Sequence, residues 1–83
     1  MIRLVFLGRL GEVAPANLAT VAPEMVATLS QLKDWLSQCA PHLGQALRDV
    51  PTRLVVNHTL IHDLMTPIFG GDEIAFLPPM SGG

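Results

Sequence analysis

The side chains able to do chemistry in this sequence are few and scattered: one cysteine, Cys39, three histidines, His42, His58 and His62, and the adjacent carboxylates Asp72 and Glu73. His58 and His62 stand four apart, a spacing that can hold a metal on one helix face. Here a hairpin is expected between them and no glutamate or third ligand lies close in sequence, so no metal site is read. His42, after Pro41, is a loop residue. Cys39 would need a neighbouring base to act as a nucleophile, and its place on an apolar helix stripe reads as a small buried thiol. Asp72 and Glu73 sit where a turn enters a strand, so they point in different directions and form no acid–base pair. Gly70-Gly71 precedes a strand instead of opening a helix, which excludes a phosphate loop.

What remains is the ending, Pro78-Pro79-Met80-Ser81-Gly82-Gly83. Proline fixes φ and favours an extended path away from the last strand, and Gly82 and Gly83 lack the Cβ that would jam in a narrow channel. Such a tail can be threaded into another protein's active site. Its carboxylate, with a pKa of about 3.5, is an unreactive anion at neutral pH. Activation as a mixed anhydride with AMP would make the Gly83 carbonyl electrophilic. Attack by a sulfur donor would then leave a terminal thiocarboxylate.

Residues 1–77 must position that tail. Ile2 to Leu7 is a short β-branched and apolar run closed by Gly8, a strand with Ile2, Leu4 and Phe6 on one face and Val5 and Leu7 on the other, beside Arg3. Gly11 to Asn17 favours a turn, and Leu18 to Val21 returns as a second strand. Thr28-Leu29-Ser30-Gln31 has the form of a capping box, and Leu29, Leu32, Leu36 and Cys39 follow at helical spacing until Pro41 stops the helix. Leu43 to Asp49 reads as one more short helical turn, ended by Pro51. Arg53 to Asn57 and Leu60-Ile61 form a hairpin, His62 to Phe69 is a surface crossing, and Gly70-Gly71-Asp72 turns into the last strand, Glu73 to Leu77. The order strand, strand, helix, strands predicts an α+β domain, a mixed sheet packed against one main helix.

Composition bounds the rest. The 83 residues suffice for one small core, and 49% hydrophobic against 14% charged residues leaves apolar surface for a partner. Val5, Leu7, Ala75 and Leu77, on one sheet face and the last strand, are the expected interface. The five Lys and Arg residues are scattered and the net charge is −2, which argues against nucleic acid. One cysteine permits no internal disulfide and fits a cytoplasmic protein, and "IRLVFL" is too short for a signal-peptide core or a membrane span.

"GDEIAFLPPMSGG", residues 71–83, with "VNHTLI", residues 56–61, the helix after Thr28 and the opening "MIRLVFLGRLGEV", resembles the small subunit of molybdopterin synthase, a family of ubiquitin-like sulfur carriers. The resemblance implies a β-grasp fold and a carrier that binds no cofactor. It implies that an E1-like adenylyltransferase uses ATP to adenylate Gly83, and that a sulfur donor protein converts the adenylate to the thiocarboxylate. The tail would enter the large synthase subunit, which supplies the catalytic residues, in a heterotetramer that makes molybdopterin from cyclic pyranopterin monophosphate. Two residues depart from the family pattern: Gly11, where Arg is frequent, and Gly70, where Asp is frequent. The same activation chemistry would serve a sulfur carrier for thiamine or another pathway, or a protein modifier joined through Gly83 to a lysine. An interaction domain with an inert tail is the bland alternative.

Overall fold

Alternation of apolar side chains along the first strand sets one face against the core, and the sheet is built around that strand. The structure is a computed structural model that describes residues 1–49 and 52–78. In chain order it contains β1 (Ile2–Phe6), α1 (Arg9–Val13), a 3₁₀ turn (Ala16–Leu18), β2 (Thr20–Val21), a second 3₁₀ turn (Pro23–Met25), α2 (Leu29–Cys39), α3 (Pro41–Asp49), β3 (Arg53–Val56), β4 (Thr59–Ile61) and β5 (Glu73–Leu77). The strands form one mixed sheet in the order β2-β1-β5-β3-β4. β1 and β5 run parallel at its centre, while the other pairings are antiparallel.

Register decides which side chains share a face. Leu4 pairs with Ile74 and Phe6 with Phe76, and across the other edge of β5 Leu54 pairs with Phe76 and Val56 with Ile74. These residues face the helices, with the Phe6 and Phe76 rings stacked 4.8 Å apart. Leu29, Leu32 and Leu36 of α2 and Leu43 of α3 are fully buried against them. Each such leucine contributes roughly 1.5–3 kcal/mol relative to an exposed one.

The start of α2 accounts for every backbone donor that a helix leaves unpaired in its first turn. Leu29 and Ser30 donate their N–H groups to the carbonyls of Thr66 and Leu64, at 3.2 and 2.8 Å. Gln31 donates its own to Thr28 Oγ1 at 3.2 Å. The Gln31 side chain accepts from Ala27 N–H at 2.8 Å, one residue before the cap, where a standard capping box returns to the cap itself. The crossing that precedes β5 is thereby fastened to the helix, and Ile68 N–H adds a bond to the Ala27 carbonyl.

Three expectations need correcting. Cys39 is exposed, because the buried stripe runs Leu29, Leu32, Leu36 and then Ala40, four residues on, which rotates Cys39 out of the core. Residues 41–49 form a second full helix in place of a single turn, so the sheet is packed by more than one main helix. Pro41 ends α2 but opens α3, where its missing N–H belongs to a donor that has no helical partner anyway. The turn expected over Gly11 to Asn17 contains the end of α1, and the second strand is confined to Thr20–Val21 because Ala16–Leu18 is a 3₁₀ turn. Pro51, the expected terminator of that segment, lies outside the described residues.

Gly44 is what allows α2 and α3 to meet. A Cβ built there would lie 2.6 Å from Ser37 Oγ and 2.7 Å from Ser37 Cα, and the second contact is with backbone. Gly44→Ala is therefore expected to destabilise the domain by about 1–3 kcal/mol, against a helix-propensity gain of about 1 kcal/mol. Urea denaturation measures the difference. A midpoint equal to or above that of the parent chain would show that the two helices are free to part.

Candidate functional site

The described part of the tail begins and ends with Pro78, which follows β5 and is half-buried. Its neighbour is Gly8, just after β1. Gly8 has φ 60° and ψ −136°, a conformation that residues with a Cβ rarely adopt. A Cβ on Gly8 would also lie 3.0 Å from Pro78 Cγ. The Leu7 N–H donates to the Phe76 carbonyl at 3.0 Å, holding the end of β1 to β5 just before the tail departs. Gly11 closes the same corner from the other side: a Cβ there would come 2.8 Å from the Phe6 carbonyl oxygen, so α1 folds back onto the end of β1 only because position 11 carries no side chain. Pro79, Met80, Ser81, Gly82 and Gly83 lie outside the described residues.

The expected interface residues are brought together in part by register. Val5 pairs with Ala75, and both belong to the sheet face turned away from the helices. Leu77 is on that face too, opposite Arg53, and Leu7 follows β1 with 43% of its surface exposed. Val55 and Leu60 were missed by sequence reasoning: Val55 pairs with Ala75 and Leu60 with Val55, so Val5, Ala75, Val55 and Leu60 make one apolar row across four strands. Alternation within Arg53–Val56, carried through a two-residue hairpin turn, is the signal that would have found them. Arg3 and Glu73 border the row, with Nε and Oε2 3.6 Å apart, an exposed pair that contributes little to stability. Apolar surface also lies elsewhere, since Met25, Met65 and Phe69 are each more than half exposed.

The chemically versatile side chains do not converge. His42, His58, His62 and Cys39 are all exposed, and no cluster of His, Cys, Asp and Glu among the described residues could hold a metal ion. Asp72 serves the backbone: its Oδ1 accepts from Asn57 Nδ2 at 2.9 Å and its Oδ2 from Phe69 N–H at 2.8 Å. Asn57 Oδ1 in turn accepts from Glu73 N–H at 2.9 Å. Asn57 and His58 both have positive φ, 49° and 71°, so the tight hairpin turn is held by the side chain of its first residue against the entry to β5. Glu73 faces Arg3, which separates the two neighbouring carboxylates. Gly70, the second departure from the family pattern, sits where a Cβ would be 3.3 Å from Pro23 Cγ. No helix among the described residues is long and apolar enough to cross a membrane.

With this geometry in view, the comparisons with known proteins can be placed. The model of the ThiS family matches residues 4–83. The chain is 30% identical over 83 residues to the molybdopterin synthase sulfur carrier subunit of Escherichia coli (strain K12), covering the whole of both chains. Its structure superposes on SAMP1 from Haloferax volcanii with a TM-score of 0.73 at 25% identity, covering 99% of this chain and 98% of that one. A chain in the protein–protein complex of subunits 1 and 2 of molybdopterin-converting factor from Helicobacter pylori 26695 superposes with a TM-score of 0.64 at 26% identity, covering 99% and 97%. The ubiquitin-like β-grasp architecture is thereby established.

The Gly8–Pro78 contact yields a test of how the tail is held. Gly8→Ala is expected to cost about 1–2 kcal/mol from the left-handed backbone alone, with a further loss from pressing on Pro78. Pro78→Ala removes the Cγ concerned, so the double variant should be more stable than the sum of the single effects by about 0.5 kcal/mol or more. Strict additivity in chemical denaturation would mean that the two residues do not press on one another.

Proposed function

The chain belongs to the ThiS family, and from this premise we propose that it is a sulfur carrier whose Gly83 bears the sulfur as a thiocarboxylate. The observation that carries the reading is the match to a sulfur carrier subunit along the full length of both chains, tail included. In the proposed cycle the Gly83 carboxylate attacks the α-phosphate of ATP on a separate E1-like enzyme, releasing pyrophosphate and leaving the acyl adenylate. Sulfur from a donor protein then displaces AMP. The resulting thiocarboxylate is a soft nucleophile on a side-chain-free terminus, and after sulfur transfer water returns the carrier to its carboxylate.

The role of this chain is positioning. The acceptor is proposed to be cyclic pyranopterin monophosphate, held by the large subunit of molybdopterin synthase in the cytoplasm, and the catalytic side chains are assigned to that subunit. The H. pylori complex of two molybdopterin-converting-factor subunits supports a partner of this kind. The exposed, scattered titratable groups described above fit a carrier that lends its terminus and no acid or base. Residues 1–77 act as the handle, with Val5, Leu7, Ala75 and Leu77 as the docking face, and Pro78 to Gly82 carry Gly83 into the partner's channel. ATP belongs to the activating enzyme, and the carrier itself holds no cofactor.

Deleting Gly83 shortens the reach by about 3.5 Å. ATP-dependent thiocarboxylation, read by intact mass, should fall by more than about a hundredfold with the melting temperature unchanged. Acquisition of sulfur by the shortened chain would remove the tail from the mechanism.

Leu77→Asp places a charge on the proposed docking face without touching the helix-facing core. Affinity for the large subunit should drop at least about tenfold, or ~1.4 kcal/mol, by titration calorimetry. Undiminished binding would move the interface elsewhere.

A further inference from the structure

The formal charge of the chain is −2, yet its cations are unevenly placed. Arg3 faces Glu73 on the outer sheet face and Arg9 belongs to α1. The other three of the five, Lys33, Arg48 and Arg53, line two adjoining concavities beside α2, one reaching to α3 and the other to β3 and β4. Their volumes are about 230 and 430 Å³, and Lys33 and Leu64 belong to both, so they are two lobes of one groove. Asp34 is the one carboxylate among the described lining residues, and His62 adds a titratable group to the larger lobe. Apolar walls accompany the charges, with Leu47 in the smaller lobe and Leu54, Leu60 and Ile61 in the larger.

We propose that this groove receives an extended acidic segment of a partner protein, one in which carboxylates alternate with apolar side chains. A small free anion is the poorer fit. It needs donors that converge on one point, whereas these cations are distributed over two lobes. Arg48 is also turned toward Ser37 Oγ at 3.5 Å and Gln45 Oε1 at 3.2 Å. Lys33 and Arg53 have no hydrogen bond or ion pair among the described residues and are available to carboxylates. An extended chain sends successive side chains to opposite sides, so one set meets Lys33 and Arg53 while the other lies on Leu60 and Leu64, both about 40% exposed. Complementary charge over apolar walls raises both selectivity and association rate. Leu60 also ends the apolar row of the outer sheet face, so the groove continues a surface already read as a docking face, although the proposal does not depend on sulfur chemistry.

The test uses the full chain, isotopically labelled for NMR and titrated with a synthetic peptide alternating Glu and Leu. A peptide alternating Lys and Leu and inorganic phosphate serve as comparisons. Shift changes should concentrate at Lys33, Arg53, Leu60 and Leu64, and the affinity should weaken as salt is raised. The double variant Lys33→Glu, Arg53→Glu should bind at least about tenfold more weakly, or ~1.4 kcal/mol, with its melting temperature held; if it unfolds, Lys33→Gln, Arg53→Gln carries the same comparison. Three results would overturn the proposal: shifts centred away from the groove, equal binding of the Lys-Leu peptide, or phosphate binding the same residues as tightly as the acidic peptide. No step of the assay involves Gly83, so its failure would leave the sulfur-carrier reading untouched.

Discussion

Parallel pairing of β1 with β5 at the centre of the sheet is the constraint on which the rest of the structure depends. Two parallel strands cannot be joined by a tight turn, so the chain between them must leave one end of the sheet and return at the other. Both helices of the core layer, both 3₁₀ turns and the β3–β4 hairpin lie within that return path. The pairing also places the first residue after β5 beside the first residues after β1. Gly8 and Pro78 are therefore neighbours because of the topology, and the glycine makes the contact physically possible.

A second consequence follows for the two faces of the sheet. A central parallel pair is normally covered on both sides, yet here the helices cover one face only, and the other carries Val5, Ala75, Val55 and Leu60 in a row. The polar bonds sit at the ends of the strands. Asn57 and Asp72 knit the hairpin turn to the start of β5, and their side chains spend their hydrogen-bonding capacity on backbone groups. This division leaves the outer face apolar and the turns rigid. A domain that must present one terminus accurately is served by both properties.

Much of this was legible in the sequence because local chemistry and the global fold agree. The Thr28 cap, the alternation in Ile2–Phe6 and the turn residues before Glu73 each specify one structure, and each forms it. The failures have a common cause, which is contact between segments distant in sequence. Cys39 and Ala40 fit a helical stripe equally well, and only the docking of α3 selects Ala40 for the core. Pro41 and Gly44 both read as helix breakers, yet one starts α3 and the other lets it touch Ser37. Gly8 and Gly11 looked like turn residues, while their actual neighbours are Pro78 and the Phe6 carbonyl. For the tail the position is reversed: its composition and resemblance spoke clearly, and the described structure reaches only its first residue.

The central position of β5 also has a consequence in time. The strand that fills the middle of the sheet is made after every other described element, so a growing chain that has reached residue 72 has β1 and β3 with their facing edges open and no neighbour to close them. Pairings between segments so far apart in sequence form late, because the loop must close before the contact stabilises it. Until then the segment leading to the tail has no fixed direction and the strand edges are open to wrong partners. Folding and presentation of the terminus thus become one event: when β5 inserts, the sheet closes and Pro78 meets Gly8 in the same step. An unfinished chain offers no correctly aimed end to an enzyme waiting for one.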